Sequence, residues 1–263
     1  MKIGACQFAV SGNMDENFRR MEAAIRHAHR SGVRLLAFPE CALTGYPPRD
    51  IPCAAAVDFD ALQQLHGKLK ALSAECGMHI ICGSMLQKGG GIYNAALLFS
   101  PGYAPRIYCK RALWGWDREN FQPGAESGVF EINGLRMGLR ICYEIRFPEY
   151  FRELYAADTA LNIVLFYDVS DADDTDRYDL IKSHIRTRAV ENVCPLLSVN
   201  AIHPHQSAPS LCCDASGRVL QELPRNAEGL LVQDFLPSTP DFGEAGRREI
   251  SDMLVKSNAQ AKC

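Results

Sequence analysis

No two cysteines in this sequence stand at C-x-x-C spacing, which argues against a zinc ribbon or a thioredoxin-type redox motif. No apolar run approaches the roughly 18 residues that cross a bilayer; residues 160–167 form the longest, and Asn162 interrupts it. Basic residues are not in excess. Lys+Arg number 28 against 31 Asp+Glu, a net charge of −3, where a nucleic-acid binder would show a basic stripe. The first residues lack the basic and apolar regions of a secretion signal and read as a strand. There is no repeat and no low-complexity linker. The seven histidines are scattered; only His203 and His205 are close, and Pro204 with its loop setting argues against a metal. Asp168, Asp171, Asp173, Asp174 and Asp176 crowd together without the glycine and terminal glutamate of a calcium loop. They are expected to be solvated, with the last of them capping a helix near Arg177. Should they border a site, their field disfavours anionic substrates. No metal, no cofactor, no nucleic acid and no membrane partner is expected.

What is present is an ordinary globular chain of 263 residues, 47% hydrophobic, enough for a sizeable core. Its eleven cysteines are odd in number and irregular in spacing. Cys82, Cys194 and Cys212 lie in apolar runs, where a free thiol acts as a small hydrophobe. That usage fits a reducing cytoplasm. Residues 15–30 read as a helix, with Phe18, Met21, Ile25 and Ala28 on one stripe and Gly32 as its stop. Residues 59–76 repeat the pattern with Leu62, Leu65, Leu69 and Leu72, and further helices are expected over 148–157 and 177–192. Short apolar runs between them read as about eleven strands, and Asn133-Gly134 marks a hairpin. Strands in runs, with helices spread evenly among them, suggest a layered α/β sandwich in one domain.

Three reactive side chains stand where strands end and turns begin, the usual place for a ligand site in an α/β fold. Glu40 follows Leu35-Leu36-Ala37-Phe38-Pro39, so partial desolvation is expected to raise its pKa and make it a better base. Lys110 ends Arg106-Ile107-Tyr108-Cys109. Cys142 ends Met137-Gly138-Leu139-Arg140-Ile141 and leads into a helix; a helix N-terminus and a nearby ammonium are expected to depress its pKa.

Phe38-Pro39-Glu40, then Leu43-Thr44-Gly45-Tyr46, Cys109-Lys110-Arg111 and Ile141-Cys142-Tyr143-Glu144-x-Arg146-Phe147-Pro148-Glu149 together resemble the nitrilase, or carbon–nitrogen hydrolase, superfamily. The resemblance extends to Gln7, Gln122-Pro123-Gly124, Arg188-Ala189-Val190-Glu191-Asn192 before Asn200, and Asp214-x-x-Gly217-x-Val219. It implies a four-layer α-β-β-α sandwich and a Glu–Lys–Cys triad of Glu40, Lys110 and Cys142. In that chemistry the cysteine forms a thioester. The glutamate moves protons, and Lys110 with the Tyr143 backbone N–H holds the oxyanion. The sequence departs from the family where a second glutamate is usual after the lysine. Asp117 stands there, and Glu119 lies nearby, as in some amidase relatives; either carboxylate is a candidate to orient Lys110.

Trp114 and Trp116 follow Lys110 and either wall a pocket or pack their loop; Tyr46, Tyr143 and Tyr167 are similar candidates. Arg146 is read first as an ion pair with Glu149 or Glu144, and second as a clamp for a substrate carboxylate. The expected activity is hydrolysis of a small linear amide or N-carbamoyl compound, with a nitrilase as the close alternative and a non-catalytic scaffold of the same fold as the distant one. Tyr after the cysteine favours the amidase branches of the family. The resemblance also implies pairing of subunits through helices. Residues 1–237 are expected to form the domain. Residues 238–263 read as a polar tail, with Ile250, Met253 and Leu254 its sizeable late apolar residues, lying on the neighbour in a homodimer or larger homo-oligomer.

Overall fold

The computed structural model describes residues 1–237 and 239–260, without the side chains of 256–260. Along the chain come β1 (Lys2–Gln7), α1 (Met14–Arg30), β2 (Val33–Ala37), α2 (Phe59–Cys76), β3 (His79–Lys88), β4 (Gly91–Phe99), β5 (Arg106–Cys109) and the short α3 (Trp116–Asn120). There follow β6 (Val129–Ile132), β7 (Leu135–Ile141), α4 (Pro148–Ala156), β8 (Leu161–Phe166), β9 (Val169–Ser170) and α5 (Thr175–Glu191). The chain closes with β10 (Leu196–Asn200), β11 (His205–Gln206), β12 (Leu211–Cys213), β13 (Val219–Glu222), β14 (Gly229–Asp234) and α6 (Phe242–Gln260).

Side-chain caps and a left-handed glycine set the helix ends. Asp58 accepts from the backbone of Asp60 and Ala61 to start α2, and Gly77 stops it in the left-handed conformation at φ +57. Asp174 accepts from the Arg177 N–H and starts α5. Asn133 and Gly134, at φ +51 and +78, make the hairpin between β6 and β7.

Two six-stranded sheets result, ordered β14-β1-β2-β3-β4-β5 and β13-β12-β10-β8-β7-β6; β9 and β11 form a separate pair. Three apolar layers hold the α-β-β-α stack together. Phe18, Met21, Ile25, Leu62 and Leu69 pack the first helices on the outer face of the first sheet. Ile3, Leu35, Ile81, Leu139, Ile163 and Leu165 fill the space between the sheets. Val164, Phe166, Ile181, Ile185, Phe151 and Leu154 join the second sheet to α4 and α5. Residues 163 to 166 alternate between two of these layers because successive strand side chains point to opposite faces.

The stretch after β14, read in the sequence as a polar tail lying on the neighbour, carries a helix that the sequence reading did not include. Residues 242–260 form α6. On the same chain, Tyr155 Oη donates to Asp252 at 2.6 Å and to the Arg248 carbonyl at 3.0 Å, and Ser216 donates to Glu244 at 2.9 Å. Ser238 and residues 261–263 of that expected segment lie outside the described residues. No helix among the described residues is long and apolar enough to cross a membrane.

Candidate active site

The parallel pairs β1–β2 and β7–β8 put the ends of β2 and β7 at one edge of the sandwich, and the end of β5 joins them. Glu40 follows β2, Lys110 follows β5 and Cys142 follows β7. The turn at Glu40 is fixed across the sheets by a bond from its N–H to the Phe166 carbonyl at 3.2 Å. It fits because β3 has no side chain at Gly83, where a Cβ would lie 2.0 Å from the Pro39 carbonyl oxygen and 2.6 Å from the Glu40 Cα.

Glu40 and Lys110 are both buried. Lys110 Nζ lies 2.7 Å from Glu40 Oε1 and 2.7 Å from Asp117 Oδ2. Asn94 Nδ2 donates to the same Glu40 oxygen at 2.7 Å, and the Tyr167 N–H donates to Oε2 at 2.8 Å. Tyr46 Oη donates to Asp117 Oδ1 at 2.9 Å, and its ring stacks on Tyr167 with centroids 4.9 Å apart. Asp117 is therefore the carboxylate that meets the lysine. Glu119, the other candidate, is exposed on α3 and does not line the pocket.

Burial raises the Glu40 carboxyl, Asp117 adds to the rise, and Lys110 and Asn94 oppose it. Lys110 is held well above the ordinary lysine value: burial opposes its charge, but Glu40 and Asp117 outweigh it. Cys142 runs against expectation. Burial and the Glu40 carboxylate push its thiol well up, and Lys110 does not overcome them. A helix end and an ammonium are present, yet both act beside two carboxylates. The resting sulfur keeps its proton.

Cys142 sits at φ +47 at the start of a single 3₁₀ turn, Cys142–Arg146, that leads into α4. It opens on a pocket of about 170 Å³ whose wall includes Lys110, Asp117, Tyr143, Arg146 and Tyr167. Trp114 and Trp116, 61% and 46% exposed, stand at its rim instead of packing their loop onto the sheet.

Two expectations about charge need correction. Three of the aspartates after β8 are paired with arginines. Asp168 pairs with Arg177 at 2.8 Å, Asp171 with Arg49 at 2.6 Å and Asp173 with Arg225, while Asp174 caps α5. Arg146 does not pair with Glu144 or Glu149. Its guanidinium lies 5.9 Å from the centre of the Tyr143 ring, and no ion pair with a carboxylate joins it among the described residues. Asn94 went unnoticed in the sequence. Its one signal is a carboxamide in the apolar run Ala95-Ala96-Leu97-Leu98-Phe99 and its approach.

The carbon–nitrogen hydrolase family model matches residues 2–239. The chain belongs to the carbon–nitrogen hydrolase family. It is 31% identical over 229 residues to the 2-oxoglutaramate amidase of Bacillus subtilis strain 168, covering 84% of this chain and 85% of that one. It is 30% identical over 167 residues to omega-amidase NIT2 of Bos taurus, 59% of each chain. The fold of this hydrolase is similar to that of the NitN amidase of Nesterenkonia sp. AN1, with a TM-score of 0.81, 25% identity and coverage of 98% and 99%. No group of three or more potential metal ligands occurs among its described residues.

Proposed function

We propose that this hydrolase cleaves the terminal amide of a small linear substrate carrying a carboxylate at its other end. Glu40, Lys110 and Cys142 are the catalytic residues of that reading. Glu40 takes the proton of the Cys142 thiol as Sγ attacks the amide carbon. The oxyanion is held by Lys110 Nζ and the Tyr143 N–H. The C–N bond breaks, Glu40 gives its proton to the departing nitrogen, and ammonia leaves a thioester. Water then gives a proton to Glu40 and its oxygen to the acyl carbon. The acid departs, and Cys142 recovers its proton.

The observation that carries the reading is Lys110 Nζ, buried at 2.7 Å from each of two carboxylates on a pocket that includes Cys142. Burying three charged groups beside a thiol is costly, and a scaffold or binding module has no use for it. The unpaired Arg146 supports a carboxylate on the substrate, because a guanidinium binds one through two parallel hydrogen bonds. The names of the relatives support an amide over a nitrile. Tyr46, Tyr167 and Asp117 would shape and orient the acyl end, with Trp116 and Tyr143 bordering the chain of the substrate.

Ten described cysteines, all free, support a reducing cytoplasm. A homodimer is supported by exposed apolar residues on α5 and α6: Leu180 is 50% exposed, Phe242 98%, Ile250 56% and Met253 60%. On this reading residues 1–237 are the hydrolase domain and the stretch from 238 adds contacts to a partner.

Ammonia release from matched ω-amides with and without a terminal carboxylate, N-carbamoyl amines and nitriles tests the reading. The carboxylated amide should be preferred, Arg146→Gln should raise KM for it alone, and Cys142→Ala should release nothing while keeping the fold. Turnover by Cys142→Ala, or no preference for the carboxylate, overturns it.

A further inference from the structure

The nucleophile and the lysine belong to different sheets. Cys142 follows β7 of the second and Lys110 follows β5 of the first. Their separation is therefore set by whatever ties the two strand ends together. One side chain does so. The Glu144 carboxylate, fully buried two residues after the nucleophile, accepts on Oε2 from the Ile141 N–H at 2.8 Å. On Oε1 it accepts from the Arg111 N–H at 2.8 Å and the Ala112 N–H at 3.4 Å. Tyr108 Oη, also buried on β5, lies 2.7 and 2.8 Å from the two oxygens. Ile141 directly precedes Cys142, and Arg111 directly follows Lys110. Arg111 also begins the segment that leads to Trp114, Trp116 and Asp117.

The geometry points to Glu144 as a positioning residue. It sets the approach of Lys110 and the loop bearing Asp117 to the Cys142 turn, and touches neither substrate nor reacting atoms. Both of its oxygens are needed as acceptors. Each receives at least one backbone N–H that cannot turn away, because β7 and the start of the loop fix their directions. In Glu144→Gln either orientation of the amide aims an NH₂ at one of those N–H groups. One end of the tie must open, and the gap between the sheets at the site changes. A carboxylate that served only to stabilise the fold would, when altered, lower the melting temperature and leave the chemistry of the folded molecules as it was.

The test uses the full chain with Glu144→Gln, Glu144→Asp and Tyr108→Phe. Reactivity of Cys142 towards iodoacetamide is followed by mass spectrometry, and amide turnover is expressed per alkylatable Cys142. The alkylation reading needs no knowledge of the substrate. The inference rests on the proposed triad only for the turnover arm. Loss of at least tenfold in Cys142 alkylation rate in folded Glu144→Gln, and of at least a hundredfold in kcat with KM within threefold, is expected. Glu144→Asp, an acceptor on both oxygens but shorter, should lie between it and wild type. Tyr108→Phe keeps the carboxylate and should fold; a threefold to thirtyfold fall in the alkylation rate is expected, and it serves as the test should Glu144→Gln not fold. An alkylation rate within threefold of wild type in Glu144→Gln, or in Tyr108→Phe where that variant stands in, overturns the positioning role. Wild-type protein that alkylates rapidly but hydrolyses no amide overturns the proposed substrate and leaves this test intact.

Discussion

Replacing Asp117 by Asn removes one negative charge from the site and very little volume. Both carboxylate oxygens lie 2.7 Å from Lys110 Nζ, so they are at most about 5.4 Å apart. At that distance, with an effective dielectric near 20, two like charges repel by about 3 kcal/mol. Glu40 is raised first by burial, which the substitution leaves in place, and then by Asp117, which it removes. The Glu40 pKa must fall. The acid limb of kcat/KM reports ionisation of the essential base in the free enzyme. In Asp117→Asn it should move to lower pH, while kcat falls about tenfold or more because Lys110 loses one of its two anchors. Initial rates of ammonia release across the acid range measure both effects. Glu119→Gln is the matched control, since Glu119 is exposed and off the pocket, and it should leave the profile unchanged. An acid limb that stays in place or rises in Asp117→Asn refutes the electrostatic account. A shift in Glu119→Gln would return the role to the other carboxylate.

Lys110→Ala should cost about 3–5 kcal/mol of stability, because it leaves two buried carboxylates without their cation, and should lower kcat by about 10²–10³; denaturant titration and kinetics check it, and a change confined to KM removes the oxyanion role. Glu40→Gln, which keeps the shape and loses the base, should reduce kcat about 10²–10⁴-fold, with pre-steady-state ammonia release as the measure. Despite the opposing effect of burial, Glu126 is held down to about 2 by Lys88 and by the backbone N–H groups of Cys109 and Ala125. A depressed carboxyl stabilises above its unfolded value of 4.5 and loses that contribution as pH falls through about 2; Glu126→Gln should therefore cost about 1 kcal/mol at pH 7, after allowance for its exposure, and progressively less towards about pH 2 in urea titrations. Ending the chain near Pro237 should weaken the proposed dimer in light scattering; a full-length monomer removes the dimer, and an unchanged dimer removes the role of the last residues.

The parts of this molecule visible in its sequence are those written in short-range pattern. Phe59–Cys76 has its stripe, its Asp58 cap and its Gly77 stop within twenty residues, and it forms where expected. Glu40, Lys110 and Cys142 each end an apolar run, and the three motifs come in a recognisable order. What surrounds them is not written locally. The Tyr167 N–H that holds Glu40 comes from 127 residues away, and Asn94 from 54. Arg146 looked like a partner for Glu144 because a single residue separates them, but the Glu144 side chain faces between the sheets and Arg146 faces the pocket. Sequence proximity gives no side-chain direction in a tight turn. The helix Phe242–Gln260 was missed for a different reason: its late apolar residues Ile250, Met253 and Leu254 are few in a polar stretch, and the hydrogen bonds that tie it to its own chain run to Tyr155 and Ser216, far away in sequence.

The raised thiol at Cys142 changes how the proposed chemistry must run. With the sulfur protonated, Lys110 stands between two carboxylates and its donors point at Glu40 and Asp117. Those two carboxylates take two of its three N–H donors and leave one for the substrate oxygen. The proton transfer itself supplies the change. When Glu40 accepts the thiol proton its carboxylate becomes neutral, and its hold on Lys110 weakens at the moment negative charge appears on the substrate oxygen. The net charge of the group does not change; the negative charge moves from Glu40 to the oxyanion, and the ammonium follows it. Such an arrangement favours the tetrahedral species over the bound amide, because the lysine interaction strengthens as the charge develops. Asp117 is the fixed point in that exchange. It keeps Lys110 charged and in place while the other partner is lost, and a carboxylate one bond shorter than glutamate serves because the side chain already reaches Nζ at 2.7 Å.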